Sequence, residues 1–263
     1  MSIKKLERFH NKLDKDLGWR KHEISHLLSL ENDDNSIVVV KATLLLLYSH
    51  WEGFIKNASK EYLKFISDKK IKLHDLNYNF EAISLKGRYK ELENSKNSLT
   101  LESEINFLED IYCSSIFCVD SSVFKNEQDK SIINTKDNLN LSVYKNILKI
   151  IGFGNVIHLD DRDDYISNIL LQNRNIIAHG NKIDEHINKF ELNREDILKM
   201  KNFLFLILDN LVKDIKYFSE NELYLFSKRN KIEAYVESSY KSLSIGIKAI
   251  FNENIPRPIL SFD

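Results

Sequence analysis

From residue 37 to about residue 68 the chain runs without a proline, and its first half is apolar almost all round. Val38, Ala42, Leu45, Leu46, Trp51, Phe54, Ile55, Ala58, Tyr62 and Phe65 mark the broad face expected to be buried. A helix that long and that apolar has to be surrounded by other elements, so the pattern predicts the central helix of a bundle. Lys41 interrupts the apolar run 37–48, which is too short to span a bilayer, and no membrane partner is expected.

The rest of the chain agrees with an all-α reading. Only 7 Gly and 2 Pro are present, and both prolines, Pro256 and Pro258, lie near the C-terminus. A chain this poor in breakers and rich in Lys, Leu, Ile and Glu favours helix. Ile3, Leu6, Phe9, Leu13, Leu17, Ile24, Leu27 and Leu28 recur at helical spacing over 2–31. The polar break 31–35 follows, with Asn35 or Ser36 as candidate cap of the next helix. Shorter helices are expected at 74–93 and 100–117, then a polar, mobile insertion at 125–136. Helical periodicity resumes over 138–151 and stops at Gly152 and Gly154.

The acidic run Asp160-Asp161-Arg162-Asp163-Asp164 suits the first turn of a helix, which Gly180 would close. Asn193, with Asp196 three residues on, predicts a capped helix reaching about residue 218. A further helix near 221–251 and an extended tail complete the expectation. The domain reading is a helical bundle over 1–218 with a variable region at 70–135. Residues 219–263 form a C-terminal helix and tail packed on the same domain.

Charge and cysteine usage narrow the function. The hydrophobic share of 43% and charged share of 29% are those of a globular protein. A net charge of −1 excludes a generally basic protein that coats nucleic acid, so any such contact has to be local. Cys113 and Cys118 are five apart on an expected helix, an offset that disfavours a disulfide. Met1-Ser2-Ile3-Lys4-Lys5 is no secretory signal, and a reducing cytoplasm is the expected location.

The chemistry concentrates in Leu170-Leu171-Gln172-Asn173-Arg174-Asn175-Ile176-Ile177-Ala178-His179-Gly180. Arg174 is a permanent cation with a forked set of donors. His179 is the side chain best suited to exchange a proton near neutral pH. Together they can hold a phosphodiester and do acid–base chemistry on it without a metal or other cofactor. Asn175 and His179 are four apart and share a helical face, with Arg174 on the adjacent edge. Cations near a helix end followed by glycine also arise simply because they suit that terminus.

Arg174-Asn175-Ile176-Ile177-Ala178-His179-Gly180 resembles the signature of the HEPN superfamily, all-α proteins of which many are metal-independent endoribonucleases. Tyr48-Ser49-His50-Trp51-Glu52-Gly53-Phe54-Ile55 is similar to the second-helix segment of the RiboL-PSP/MAE-type HEPN branch. Asn134-Thr135-Lys136-Asp137-Asn138-Leu139-Asn140 with 148–152 is similar to that branch's Asn-Leu element. The resemblance spans roughly 36–215. It implies an HEPN-like bundle with additional helices in a middle insertion and at the C-terminus.

It also implies a homodimer through the motif helices, with two copies of Arg174 and His179 in one cleft. The substrate would be RNA, its 2′-OH attacking the adjacent phosphorus to leave a 2′,3′-cyclic phosphate. Arg174 would hold the phosphate, His179 would shuttle the proton, and Asn175 would orient His179 or the phosphate. A toxin or antiphage-defence setting, with an antitoxin or other partner protein, goes with the family. The alternative is a non-catalytic HEPN adaptor that binds RNA or a partner protein.

Other candidates are weaker. Glu52 lies in an otherwise apolar helix and needs a partner, with Arg174 or His179 as candidates. His158 beside the 160–164 acids lacks a second histidine at ligand spacing, so capping is the better reading. Gly152-x-Gly154 lacks the rest of a phosphate loop. Lys86-Gly87-Arg88-Tyr89-Lys90 and Lys228-Arg229-Asn230-Lys231 suit RNA backbone contact or plain solvation.

Overall fold

A computed structural model describes residues 3–32, 36–85, 115–119, 132–135, 138–154, 165–178 and 192–251, with isolated positions at 102, 105, 106, 109 and 162. Among these residues regular structure is helical, with only the isolated antiparallel bridges Lys72–Ile116 and Leu76–Leu225 besides. Helix α1 (Ile3–Ser29) buries Phe9, Leu13, Leu17, Ile24 and Leu28, a stripe built on steps of four and seven residues. Helix α2 (Ser36–Ser67) is the expected central helix. It packs against α1, against α5 (Arg194–Glu220) and against α4 (Gln172–Ala178).

Trp51, Phe54, Ile55, Ala58, Tyr62, Leu63 and Ile66 of α2 are wholly buried. Each large apolar side chain so removed from water contributes roughly 1.5–3 kcal/mol. By length and composition alone α2 would cross a membrane, but it is the helix the others pack around. Its first turns are phased differently from the sequence expectation. Val38 is 64% exposed and Ile37 50%, whereas Val39, Val40, Leu44 and Leu47 face the core. Where every side is apolar, periodicity cannot choose the inner face, and packing chooses it.

Helix α3 (Leu141–Ile150) begins at the N-cap Asn140, whose side chain accepts a hydrogen bond from Val143 N–H at 2.9 Å. It ends at Gly152 as the sequence predicts. Gly152 has φ +90°, its N–H donates to Lys149 O, and Phe153 N–H donates to Leu148 O. That pair of bonds is a Schellman ending, which requires the left-handed residue. Asn79 packs against the bare Cα of Gly152 and donates to Ile150 O at 2.9 Å.

Asn193 caps α5 in a full capping box with Asp196, as expected. A 3₁₀ segment (Phe226–Lys231) then leads into α6 (Ile232–Ile250), which lies along α5. Tyr235 and Ser239 of α6 both donate to Asp214 of α5, at 2.8 and 2.7 Å. Asn210 donates to the same carboxylate at 2.8 Å.

The middle region departs from expectation. Residues 78–85 are helical, as are the described positions among 102–109, but 115–119 are extended rather than the end of a helix. Leu73 N–H donates to Ser115 O and Phe117 N–H to Ile71 O. Phe117 is buried edge-on against Phe80. Pairing with the 71–73 segment and burial of one aromatic ring overrule local propensity. Cys118, on this segment, is a free and exposed thiol off the expected helix, and Cys113 lies outside the described residues. So do the 125–131 part of the polar insertion, the 160–164 acids apart from Arg162, and the tail after 251.

Candidate functional site around Arg174

Helix α4 grows out of a wider π-helical segment, Tyr165–Leu171, anchored in the core by Ile166, Leu170 and Leu171. Such widened turns rotate the residues that follow relative to a continuous α-helix, and they recur at functional sites. Two side chains lean back across the junction: Asn173 Nδ2 donates to Ile169 O at 2.8 Å and Gln172 Nε2 to Asn168 Oδ1 at 3.1 Å. Arg174, the next residue, is half-buried.

The Arg174 guanidinium lies over the Tyr48 ring, with Cζ 4.1 Å from the ring centroid. A partly buried contact of this kind contributes about 1–2 kcal/mol. Nη1 donates to Asn175 Oδ1 at 2.8 Å, and Nη2 donates to Asn138 Oδ1. The guanidinium is thus held on one face by a ring from α2 and on its edge by two amide oxygens.

The segment carrying Asn138 is itself tied to α2. Leu139 is fully buried; its N–H donates to the Tyr48 hydroxyl at 3.1 Å and its carbonyl accepts from Trp51 Nε1 at 3.1 Å. Asn140 then caps α3, so three consecutive residues are committed to four contacts. Thr135, also buried, donates to Glu52 Oε1 at 2.6 Å. Burial is the main cause pushing the Tyr48 phenol above its ordinary pKa, and Glu52 adds to it; Leu139 N–H and Arg174 oppose. Tyr48 is therefore a neutral phenol at physiological pH.

The structure brings Arg174, Asn175 and Glu52 into one neighbourhood. Asn175, expected to orient His179 or the phosphate, turns its amide oxygen to Arg174. Glu52, expected to meet Arg174 or His179, takes the Thr135 hydroxyl and faces Tyr48. His179 and Gly180 lie outside the described residues. Tyr48 and Asn138 received no role from the sequence. The available signal was the i, i+4 spacing of Tyr48 and Glu52, which puts a ring and a carboxylate on one helical face.

The remaining candidates dissolve into structure. Gly152 ends a helix, and Lys228 is paired with Glu222 at 3.0 Å. Arg229 stacks on Phe226 at 4.3 Å, and Arg162 stacks on Phe251 at 4.1 Å. His158 and the 86–90 basic cluster lie outside the described residues.

A second polar cluster sits between α1 and α2. Arg20 donates through Nε to Asp16 at 3.0 Å and approaches His50 Nδ1 at 3.4 Å. His50 Nε2 lies 2.9 Å from Glu23 Oε2, off the line of a full hydrogen bond. Burial first, then the Arg20 charge, lower the His50 pKa against the opposing pull of Glu23 and Asp16.

Compared with known families, the chain matches the family described as HEPN_MAE_28990-like HEPN over residues 9–224. No curated protein and no solved structure matches it.

Proposed function

The chain belongs to the HEPN_MAE_28990 family of HEPN domains, and from that premise we propose that it is a metal-independent endoribonuclease. The observation that carries the reading is the Arg174 guanidinium, aimed by a ring and two amides at the edge of the central helix. A preorganised arginine of this kind suits the charge that develops on a phosphoryl group during transfer. In the proposed reaction the RNA 2′-oxygen bonds to the adjacent phosphorus and the bond from phosphorus to the 5′-oxygen breaks. The 2′-OH gives up its proton to a base, and the departing 5′-oxygen takes one from an acid. Arg174 binds the non-bridging oxygens. His179, from the family signature, moves the protons, two copies allowing one to accept and the other to donate.

Two copies require a dimer, and an apolar strip supports one. Val38, Leu45 and Glu52 recur at seven-residue steps on α2, so exposed Val38 and half-buried Leu45 continue the face that carries Glu52. Exposed Ala178 ends the described part of α4. The setting that goes with this reading is a cytoplasmic toxin or defence enzyme restrained by a partner protein.

The test is incubation of the purified protein with total RNA in EDTA, beside Arg174→Ala and His179→Ala variants. Fragments from the wild type alone support the reading. Cleavage that persists in either variant, or that needs a divalent metal, refutes it. Binding of RNA or of a partner without cleavage would make the chain an adaptor.

A further inference from the structure

We infer that Phe251, the C-cap of α6, is a positioning residue for the helix that carries Arg174; its bearing on catalysis rests on the nuclease reading above. The α6 helix lies beyond the matched residues 9–224, and its place is set by its own contacts with the bundle. Asp214 of α5 takes hydrogen bonds from Tyr235 and Ser239, which stand one turn apart on α6 and fix its register along α5. Leu243 and Ile247, on the turns that follow, are buried. The Phe251 N–H then donates to Ile247 O, so the ring leaves the helix at a fixed point.

At that point the ring joins α5 to the start of the segment that leads into the site. Phe251 meets Tyr165 edge-on at 4.9 Å and Phe203 edge-on at 5.6 Å, and Tyr165 meets Phe203 edge-on at 5.6 Å. Edge-to-face rings at such separations attract beyond the area they bury. Arg162 Cζ lies 4.1 Å and Lys199 Nζ 4.7 Å from the centre of the same ring. Lys199 and Phe203 belong to α5, whereas Arg162 and Tyr165 belong to the chain that enters the site.

Tyr165 is the first residue of the widened segment Tyr165–Leu171, from which α4 and Arg174 continue. Widened turns are rare, so this one depends on what packs around it. Ile166, Leu170 and Leu171 anchor it in the core, and the three-ring cluster holds its first residue. No side chain of α4 is fully buried, so α4 takes its position from the segment before it. A ring delivered by the C-terminal helix thus helps to set where Arg174 meets Tyr48.

The experiment compares Phe251→Ala, Phe251→Leu and Phe251→Tyr with the wild-type chain. Leu243→Ala, which removes a buried side chain from the middle of α6, is the control for general loosening. The readouts are melting temperature, the rate of RNA cleavage in EDTA, and the proton resonances of the Arg174 side chain, which the Tyr48 ring beneath it shifts. Phe251 is half-buried, so its variants are expected to fold. Phe251→Ala and Phe251→Leu are expected to move the Arg174 resonances toward those of an unfolded peptide. Both are expected to slow cleavage roughly ten-fold or more, as displacement of a catalytic group does. Phe251→Tyr, which keeps the ring, is expected to retain the wild-type resonances and rate. Leu243→Ala is expected to lower the melting temperature and leave the Arg174 resonances in place. Resonances unmoved in Phe251→Ala, or moved as far in Leu243→Ala, would overturn the proposal. If the wild type cuts no RNA, the nuclease reading fails by itself, and the resonances still decide what Phe251 positions.

Discussion

Gly53 stands inside α2, where alanine would favour the helix by about 1 kcal/mol. The reason is a close approach: a Cβ there would lie 2.9 Å from Arg20 Nη1. Arg20 cannot simply swing away, because Asp16 holds its Nε and the Trp19 ring lies 4.6 Å from its Cζ. Gly53→Ala is therefore expected to destabilise the protein, on the order of 1 kcal/mol by urea unfolding, as small clashes in a packed site do. In an Arg20→Ala background the same change should stabilise instead, because only the helix preference remains. Additive effects in the two backgrounds would show that the contact does not explain the glycine.

At this scale the sequence revealed Arg174, because a cation beside an amide near a helix end is a local pattern. It did not reveal Tyr48, whose partners Leu139 and Arg174 come from distant parts of the chain. A ring in an apolar helix looks like core until the chain that covers it is in place. Glu52 was legible as a carboxylate needing a partner, but Thr135 as that partner was not.

The helices themselves were the easiest elements to read. Caps at Asn193 and the glycine ending after α3 carry short-range signals with a backbone mechanism, and both occur where expected. The first turns of α2 and the extended 115–119 segment were misread for one shared reason. Each is decided by what packs against it, and an apolar run does not encode its own inner face.

The α1–α2 pair also carries a pH-dependent contact. His50, enclosed by Arg20, Glu23 and Asp16, has its pKa lowered below the ordinary 6.5, so the unfolded chain binds a proton at higher pH than the folded one. Stability from this contact is fully present above about pH 6.5 and is lost as pH falls through that value toward the lower folded pKa. His50→Gln should flatten the dependence of melting temperature on pH just below 6.5, compared with wild type. An unchanged slope would mean that His50 does not titrate in folding.

For the molecule as a whole, one helix does two jobs. The buried side of α2 organises the bundle and includes the Tyr48 ring that lies under Arg174, and its exposed side carries Val38. On the proposed dimer, Val38→Arg is expected to leave the fold intact, because the residue is 64% exposed, and to shift sedimentation from dimer to monomer. A variant that sediments as the wild type does would remove this strip from the interface.

The role proposed for Arg174 is in transfer of a phosphoryl group to a ribose 2′-oxygen. It is tested most directly by end-group analysis of a defined RNA cut in EDTA, beside the same RNA made 2′-deoxy at the cut position. The expected result is 2′,3′-cyclic phosphate and 5′-OH ends, no cut at the deoxy position, and a loss of roughly 100-fold or more in rate for Arg174→Ala. Ends bearing a 3′-OH and 5′-phosphate, or equal cutting of the deoxy strand, would contradict it.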